Sequence, residues 1–252
     1  MSDDASLRMV RLALEGRGVA DMARRRSLRA SATDDGYLVH CLLAELFGDL
    51  APRPFALAGT RGPALIVLGY TATTANELQR HADTFAAPNI HRTCQWEQLA
   101  AKSMPSAWPA GTRLGFAVRV CPVVRMSGEG PMHRKGAEVD AFLATAWKTD
   151  PSGRQDRETV YREWLRTAIE RRGGARLVAA RLTGFRIARL LRRTQGSERR
   201  AELRERPDAH LSGEIEVTDS AAFAALLRAG IGRHRSFGFG MLLLRPAGRT
   251  AC

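Results

Sequence analysis

The chain has 252 residues, 44% of them hydrophobic, and a formal net charge of +13. That is enough apolar material for one large packed domain or two small ones, and the surplus of positive charge points to nucleic acid or an anionic surface as partner. The excess is arginine, since Lys102, Lys135 and Lys148 are the only lysines among 39 basic residues. Cys41, Cys94, Cys121 and Cys252 are scattered, with no Cys-x-x-Cys pair and no paired histidines at ligand spacing, which argues against a zinc site and against a disulfide framework. The start, Met-Ser-Asp-Asp, lacks the basic and apolar segments of a secretory signal. No apolar run approaches the roughly 20 residues of a membrane span. A cytoplasmic protein with no membrane partner is expected.

Residues 6–14 (SLRMVRLAL) read as a first strand, followed by an arginine-rich connector holding Arg24, Arg25, Arg26 and Arg29. Asp34 and Asp35 can cap a helix over residues 37–47. Residues 54–58 and 64–70, separated by Gly59-Thr-Arg-Gly62, form the pattern of a β-hairpin. A second helix is predicted over 73–85 and a weakly signalled fourth strand over 91–99. That order is β-α-β-β-α-β, the ferredoxin-like unit.

Residues 105–111, rich in Pro and Gly, read as a linker to a second half. Residues 113–124 open it as a strand, and helices are predicted over 139–147 and 157–169. Residues 177–191 suit either a strand or a helix, and Gly184 inside them favours one arm of a hairpin. A strand over 211–217, a helix over 221–229 closed by Gly230, and a strand over 241–244 complete the half. The expected fold class is therefore α+β with two tandem ferredoxin-like (RRM-like) domains, residues 1–104 and 111–252. The second repeats the topology of the first, with an insertion after its first strand.

Three regions can carry chemistry. In the helix over 37–47, Val39, Leu42, Leu43 and Leu46 form an apolar stripe, and His40 lies about 110° from its centre at 100° per residue. Tyr37, one turn earlier, lies beyond it on the same side. A histidine with an i−3 tyrosine at the edge of a buried face suits a general acid/base with a supporting hydroxyl. A plain surface histidine has the same signature. The second region is Gly230-Ile-Gly-Arg-His-Arg-Ser-Phe-Gly-Phe-Gly240, directly followed by Met-Leu-Leu-Leu. Glycine lets backbone approach a phosphate closely and arginine grips its oxygens, so Gly232, Arg233, His234, Arg235 and Ser236 are candidate contacts to a polyanion. The third comprises two basic clusters: Arg24, Arg25, Arg26 and Arg29 in the connector, and Arg186, Arg189, Arg192, Arg193, Arg199 and Arg200 around a predicted hairpin tip. One charge run is usually a solvated face, but several in one chain favour a phosphate backbone. Arg166, Arg171 and Arg172 lie on a mixed-charge helix, where the solvated face is the better reading.

These segments together resemble a known family. Tyr37-Leu-Val-His40 with its Leu-rich continuation, Arg53-Pro-Phe55, Phe116-Ala-Val-Arg-Val-Cys-Pro122 and the glycine-rich stretch through Arg245-Pro246 are similar, in order, to the CRISPR-associated endoribonuclease CasE of type I-E systems, within the Cas-six superfamily. Both domains of that family are ferredoxin-like, in agreement with the independent reading.

The resemblance implies binding of a CRISPR repeat stem-loop and one cut at the 3′ base of the hairpin. The adjacent 2′-hydroxyl would be the nucleophile, with no metal or other cofactor required. By position, His40 becomes the general acid/base and Tyr37 its neighbour at the scissile phosphate. Arg235 stands where the family often has lysine and, being permanently charged, would only stabilise developing charge. The connector is longer and more basic than is usual in the family. It suggests an extra RNA contact or a divergent branch such as the type IV processing enzymes, with its arginines taking part of the catalytic role. The resemblance also implies retention of the mature crRNA within an effector complex alongside other subunits. The alternative is a non-catalytic subunit that binds the hairpin while His40 is inert.

Overall fold

The computed structural model describes residues 6–28, 33–148, 155–193 and 201–248, with only the backbone of 192, 193, 201 and 202. The first half contains β1 (Arg8–Glu15), α1 (Gly16–Arg25), α2 (Asp35–Phe47), β2 (Phe55–Arg61), β3 (Ala64–Thr71), α3 (Ala75–Phe85), the short α4 (Pro88–His91) and β4 (Ala100–Ser103). Its strands form an antiparallel sheet in the order β2-β3-β1-β4. Strands β1 and β3 carry the apolar runs, as central strands covered by helices should, and β2 and β3 form the expected hairpin.

Two expectations are corrected here. The arginine connector begins with a helix, α1, whose Val19, Met22 and Ala23 are buried at i, i+3 and i+4 spacing. Gly16 and Gly18 weaken the helix signal, yet a Cβ at Gly18 would lie 2.6 Å from the Thr93 hydroxyl, so close packing against the 88–94 segment excludes any larger residue. The fourth strand is Ala100–Ser103, not residues 91–99. Those residues instead hold the end of α4, a one-residue bridge from Cys94 to Leu14, and a single 3₁₀ turn at Trp96–Gln98. All four residues of β4 are exposed, so it lacks the alternation by which strands are recognised.

The second half contains β5 (Arg113–Val120), β6 (Val123–Arg125), β7 (Glu138–Asp140), α5 (Ala141–Ala146), α6 (Arg157–Glu170), β8 (Ala175–Arg193), β9 (Ala201–Val217), α7 (Ser220–Ala229) and β10 (Leu243–Pro246). Its main sheet has the order β10-β5-β9-β8. Each sheet thus reads fourth, first, third, second strand of its half, the ferredoxin-like arrangement twice over. The two-stranded β6–β7 ribbon and α5 are the insertion after the first strand. The ambiguous 177–191 segment is the middle of β8, paired with β9 from Ala175↔Val217 to Arg193↔Ala201 as one long hairpin. The ladder shifts between Leu182 and Gly184, a bulge of the kind that an in-strand glycine marks.

The two halves share their interior. Leu7, Ala56 and Tyr70 pack into the cluster formed by the second sheet and its helices, while Leu191 of β8 enters the core of the first half. The Tyr70 hydroxyl donates to the Leu242 carbonyl at 2.8 Å.

Candidate active site

Helix α2 begins where the Asp34 side chain accepts from the Gly36 amide at 3.0 Å, a cap that satisfies one of the orphan donors of the first turn. From there the helix is buried on almost every side: Gly36, Tyr37, Leu38, Val39, Cys41, Leu42, Leu43, Leu46 and Phe47 are all covered. His40 is half-buried on the narrow strip left over. The cover on its outer side is the glycine-rich loop. Phe237 packs on the Tyr37 ring (5.4 Å between centroids) and edge-on to the His40 ring (5.1 Å). A Cβ at Gly36 would lie 2.1 Å from the Phe237 carbonyl oxygen. Only glycine at that point lets the loop lie on the first turn of the helix.

Burial, helped by the charges of Arg53 and Arg26, holds the His40 imidazole below the ordinary histidine pKa. Its protonated form would add a third cation to a poorly hydrated spot, so the neutral base prevails near pH 7. Among the described residues no side chain hydrogen-bonds this imidazole. A neutral histidine within the electrostatic reach of two guanidiniums can accept a proton beside a bound anion. Arg53 precedes Pro54 and Phe55, and these two pack against Gly230 and Gly238 of the loop respectively, so the loop rests on the first residue of β2 and the proline before it.

The loop's own polar residues face several ways. Arg233 pairs with Glu138 of β7, and His234 brings Nε2 to within 3.7 Å of the same carboxylate. The His234 contact and the charges of Arg233 and Arg206 outweigh burial and hold the Glu138 carboxyl at about 2. His234 takes a left-handed backbone conformation (φ 59°), rare for a residue with a side chain, and its ring lies against Phe237 and Phe239. Arg235 donates to the Ala229 carbonyl at the end of α7. Ser236 sits in the single turn Arg235–Phe237, and Gly232 lies against the Trp164 ring.

A group that sequence reasoning did not single out joins this site to the second sheet. Arg119 of β5, its side chain 9% exposed, donates to Asp34 at 2.6 Å and to both carboxylate oxygens of Asp208 on β9 at 2.8 Å. Its guanidinium also lies 4.0 Å over the Phe239 ring, and its carbonyl accepts from the Gly240 amide at 2.6 Å. Arg186 of β8 closes the group, contacting Asp208 at 2.7 Å and Asp34 at 3.3 Å while its side chain remains 64% exposed. Burial alone would push the Asp208 carboxyl up, but Arg119 and Arg186 outweigh it and hold it below the usual carboxylate range. One network thus fixes the start of α2, the glycine-rich loop and the long hairpin to one another.

The other sequence candidates stand apart from this centre. On and just after α1, Arg24 pairs with Asp21, Arg25 faces the Asn89 amide, and Arg26 pairs with Glu45 of α2. Only Arg26 reaches toward His40. Arg189 lies 3.6 Å from Glu205 across the hairpin. Arg192 and Arg193 are on β8, with only their backbone described, and Arg29, Arg199 and Arg200 lie outside the described residues.

Two ferredoxin-like units, with a glycine-rich loop from the second laid over a histidine helix of the first, define the class of fold. A family model described as CRISPR associated protein matches residues 10–246, and the chain belongs to that family. Solved structures share the arrangement. CRISPR endoribonuclease Cse3 bound to a 19-nucleotide RNA has a TM-score of 0.63 at 21% identity, over 96% of this chain and 100% of that one. Thermus thermophilus Cse3, bound to an RNA representing a pre-cleavage complex, has a TM-score of 0.61 at 21% identity over 96% and 100%. Cas6e from Escherichia coli K-12 has a TM-score of 0.55 at 15% identity over 95% and 99%. At these identities the likeness is one of fold. No curated protein sequence matches the chain.

Proposed function

We propose that this protein is an endoribonuclease that binds the hairpin of a CRISPR repeat RNA and cuts at the 3′ base of the stem. In this reading the neutral His40 takes the proton of the 2′-hydroxyl beside the scissile phosphate. The 2′-oxygen attacks phosphorus, the bond to the 5′-oxygen of the next nucleotide breaks as that oxygen takes a proton from water, and a 2′,3′-cyclic phosphate forms without a metal. Arg53 and Arg26 neutralise the phosphate as charge gathers on it. Tyr37 and Phe237 fix the imidazole, and Arg235 anchors the loop on the end of α7. The β8–β9 hairpin, with Arg186 and Arg189, lies along the stem. An A-form stem is read through its phosphates and shape, which suits a basic arm. The product stays bound through these contacts and enters an effector complex.

The observation that carries this reading is the half-buried histidine packed under a glycine-rich loop, its pKa lowered by burial and by the charges of Arg53 and Arg26, in a chain of the CRISPR-associated family. The test is cleavage of the cognate repeat in EDTA by the native protein and by His40→Ala. A loss of roughly 10² to 10⁴ in rate with hairpin affinity intact is expected. Unchanged cutting would remove His40 from the mechanism. A protein that binds the hairpin and cuts nothing is a binding subunit.

A further inference from the structure

The glycine-rich loop has a second side. While Phe237 faces His40, Gly232 and Arg233 line a groove of about 1060 Å³ between β6, α5 and α6. Its cations are Arg125, Lys148, Arg171, Arg172 and Arg233. Its two carboxylates are engaged elsewhere: Asp156 caps α6, and Glu163 lies 3.3 Å from Arg166. Arg233 is paired with Glu138, but among the described residues Arg125, Lys148, Arg171 and Arg172 have no carboxylate partner. Arg172 also lies close enough to the loop's Arg235 that its charge adds to burial in lowering the Arg235 pKa. A cluster of cations whose neighbouring acids are engaged with other partners calls for an anion from outside. The groove wall carries Trp164, whose indole N–H is already satisfied by the Val123 carbonyl at 3.1 Å, so the ring offers an aromatic surface and no donor. The most exposed apolar side chains nearby, Met132, Leu143 and Trp147, are not part of the lining, which favours a nucleic acid over a protein.

We infer that this groove takes a single-stranded RNA segment continuous with the bound hairpin, its phosphates held by Arg125, Lys148, Arg171 and Arg172 beside the ring of Trp164. The inference rests on the hairpin-binding reading. Strand leaving the cut site would cross residues 232–233 and run between α5 and α6. Phosphates supply sequence-independent affinity, and an aromatic ring supplies a platform that tolerates any base.

The experiment compares the native protein with an Arg171→Ala/Arg172→Ala variant, both changes being at exposed positions. The probes are the bare hairpin, the hairpin with a 5′ single-stranded extension, and the hairpin with a 3′ extension. One extension should tighten native binding by roughly tenfold and steepen the salt dependence by about 0.7 for each phosphate engaged. The variant should lose that gain and keep native affinity and cutting on the bare hairpin. The 5′ and 3′ arms identify which flank occupies the groove. Equal gains in native and variant proteins would overturn the inference. So would an extension without effect on the native protein, even if the variant failed to join a partner subunit, a result that would mark the groove as a protein surface. Because cutting and binding of the bare hairpin are read separately, failure of the endoribonuclease reading is distinguishable from failure of the groove.

Discussion

A histidine that accepts a proton from a hydroxyl works only while it is unprotonated, so the pH profile reports the surroundings of His40. Burial, Arg53 and Arg26 all favour the neutral ring. The cleavage rate should therefore rise with pH and level off below the ordinary histidine pKa of about 6.5. Removing a neighbouring cation makes the protonated ring easier to form and raises the pKa. Arg53→Gln should accordingly move the acid limb of the profile to higher pH, measured as single-turnover rates across pH 4.5 to 8. A limb that stays in place would mean that another group sets it. Helical spacing put His40 at the edge of the apolar stripe but did not separate it from a surface histidine. It put Tyr37 beyond that edge, whereas Tyr37 is buried beside Phe237. Arg53 was visible only as part of a resemblance, because nothing in the sequence shows that it lies beside a residue on another element.

Among the elements, α2 and the loop over it depend on each other through one glycine. On a free helix, Gly36→Ala would stabilise by roughly 0.5 to 1 kcal/mol. Here the added Cβ would collide with the Phe237 carbonyl, and the loop would have to lift. The expected outcome is a protein that still folds, with a clear loss of cleavage and a change in the environment of Phe237 measurable by NMR. Unaltered cleavage would show that the loop need not lie on the helix. The elements themselves were largely legible, because β1, β3, α2 and α7 carry strong periodicity and explicit caps. Helix α1 was hidden by Gly16 and Gly18, which lie against the Pro63 carbonyl and the Thr93 side chain. Strand β4 was hidden because four exposed residues leave no pattern to read.

For the molecule as a whole, the Asp34–Arg119–Asp208–Arg186 group is the clearest tie between the halves. Its hydrogen-bonded partners lie 22 to 152 residues apart in sequence, so no local pattern announces it. Arg119→Met would leave two buried carboxylates to the exposed Arg186 alone. The expected loss is about 3 to 5 kcal/mol, seen as a fall in melting temperature of about 10 °C. Arg186→Gln, at a largely exposed position, should cost under about 1 kcal/mol. Equal effects of the two would contradict a buried tie centred on Arg119. The insertion of Leu191 into the core of the first half has a further consequence, for synthesis on the ribosome. Residues 8–103 emerge with a gap in their interior and with α2 uncovered, and both faults persist until the long hairpin and residues 230–240 have been made. Through that interval the nascent chain presents apolar surface to chaperones and to its neighbours, and the first half completes its folding only after the second has been translated.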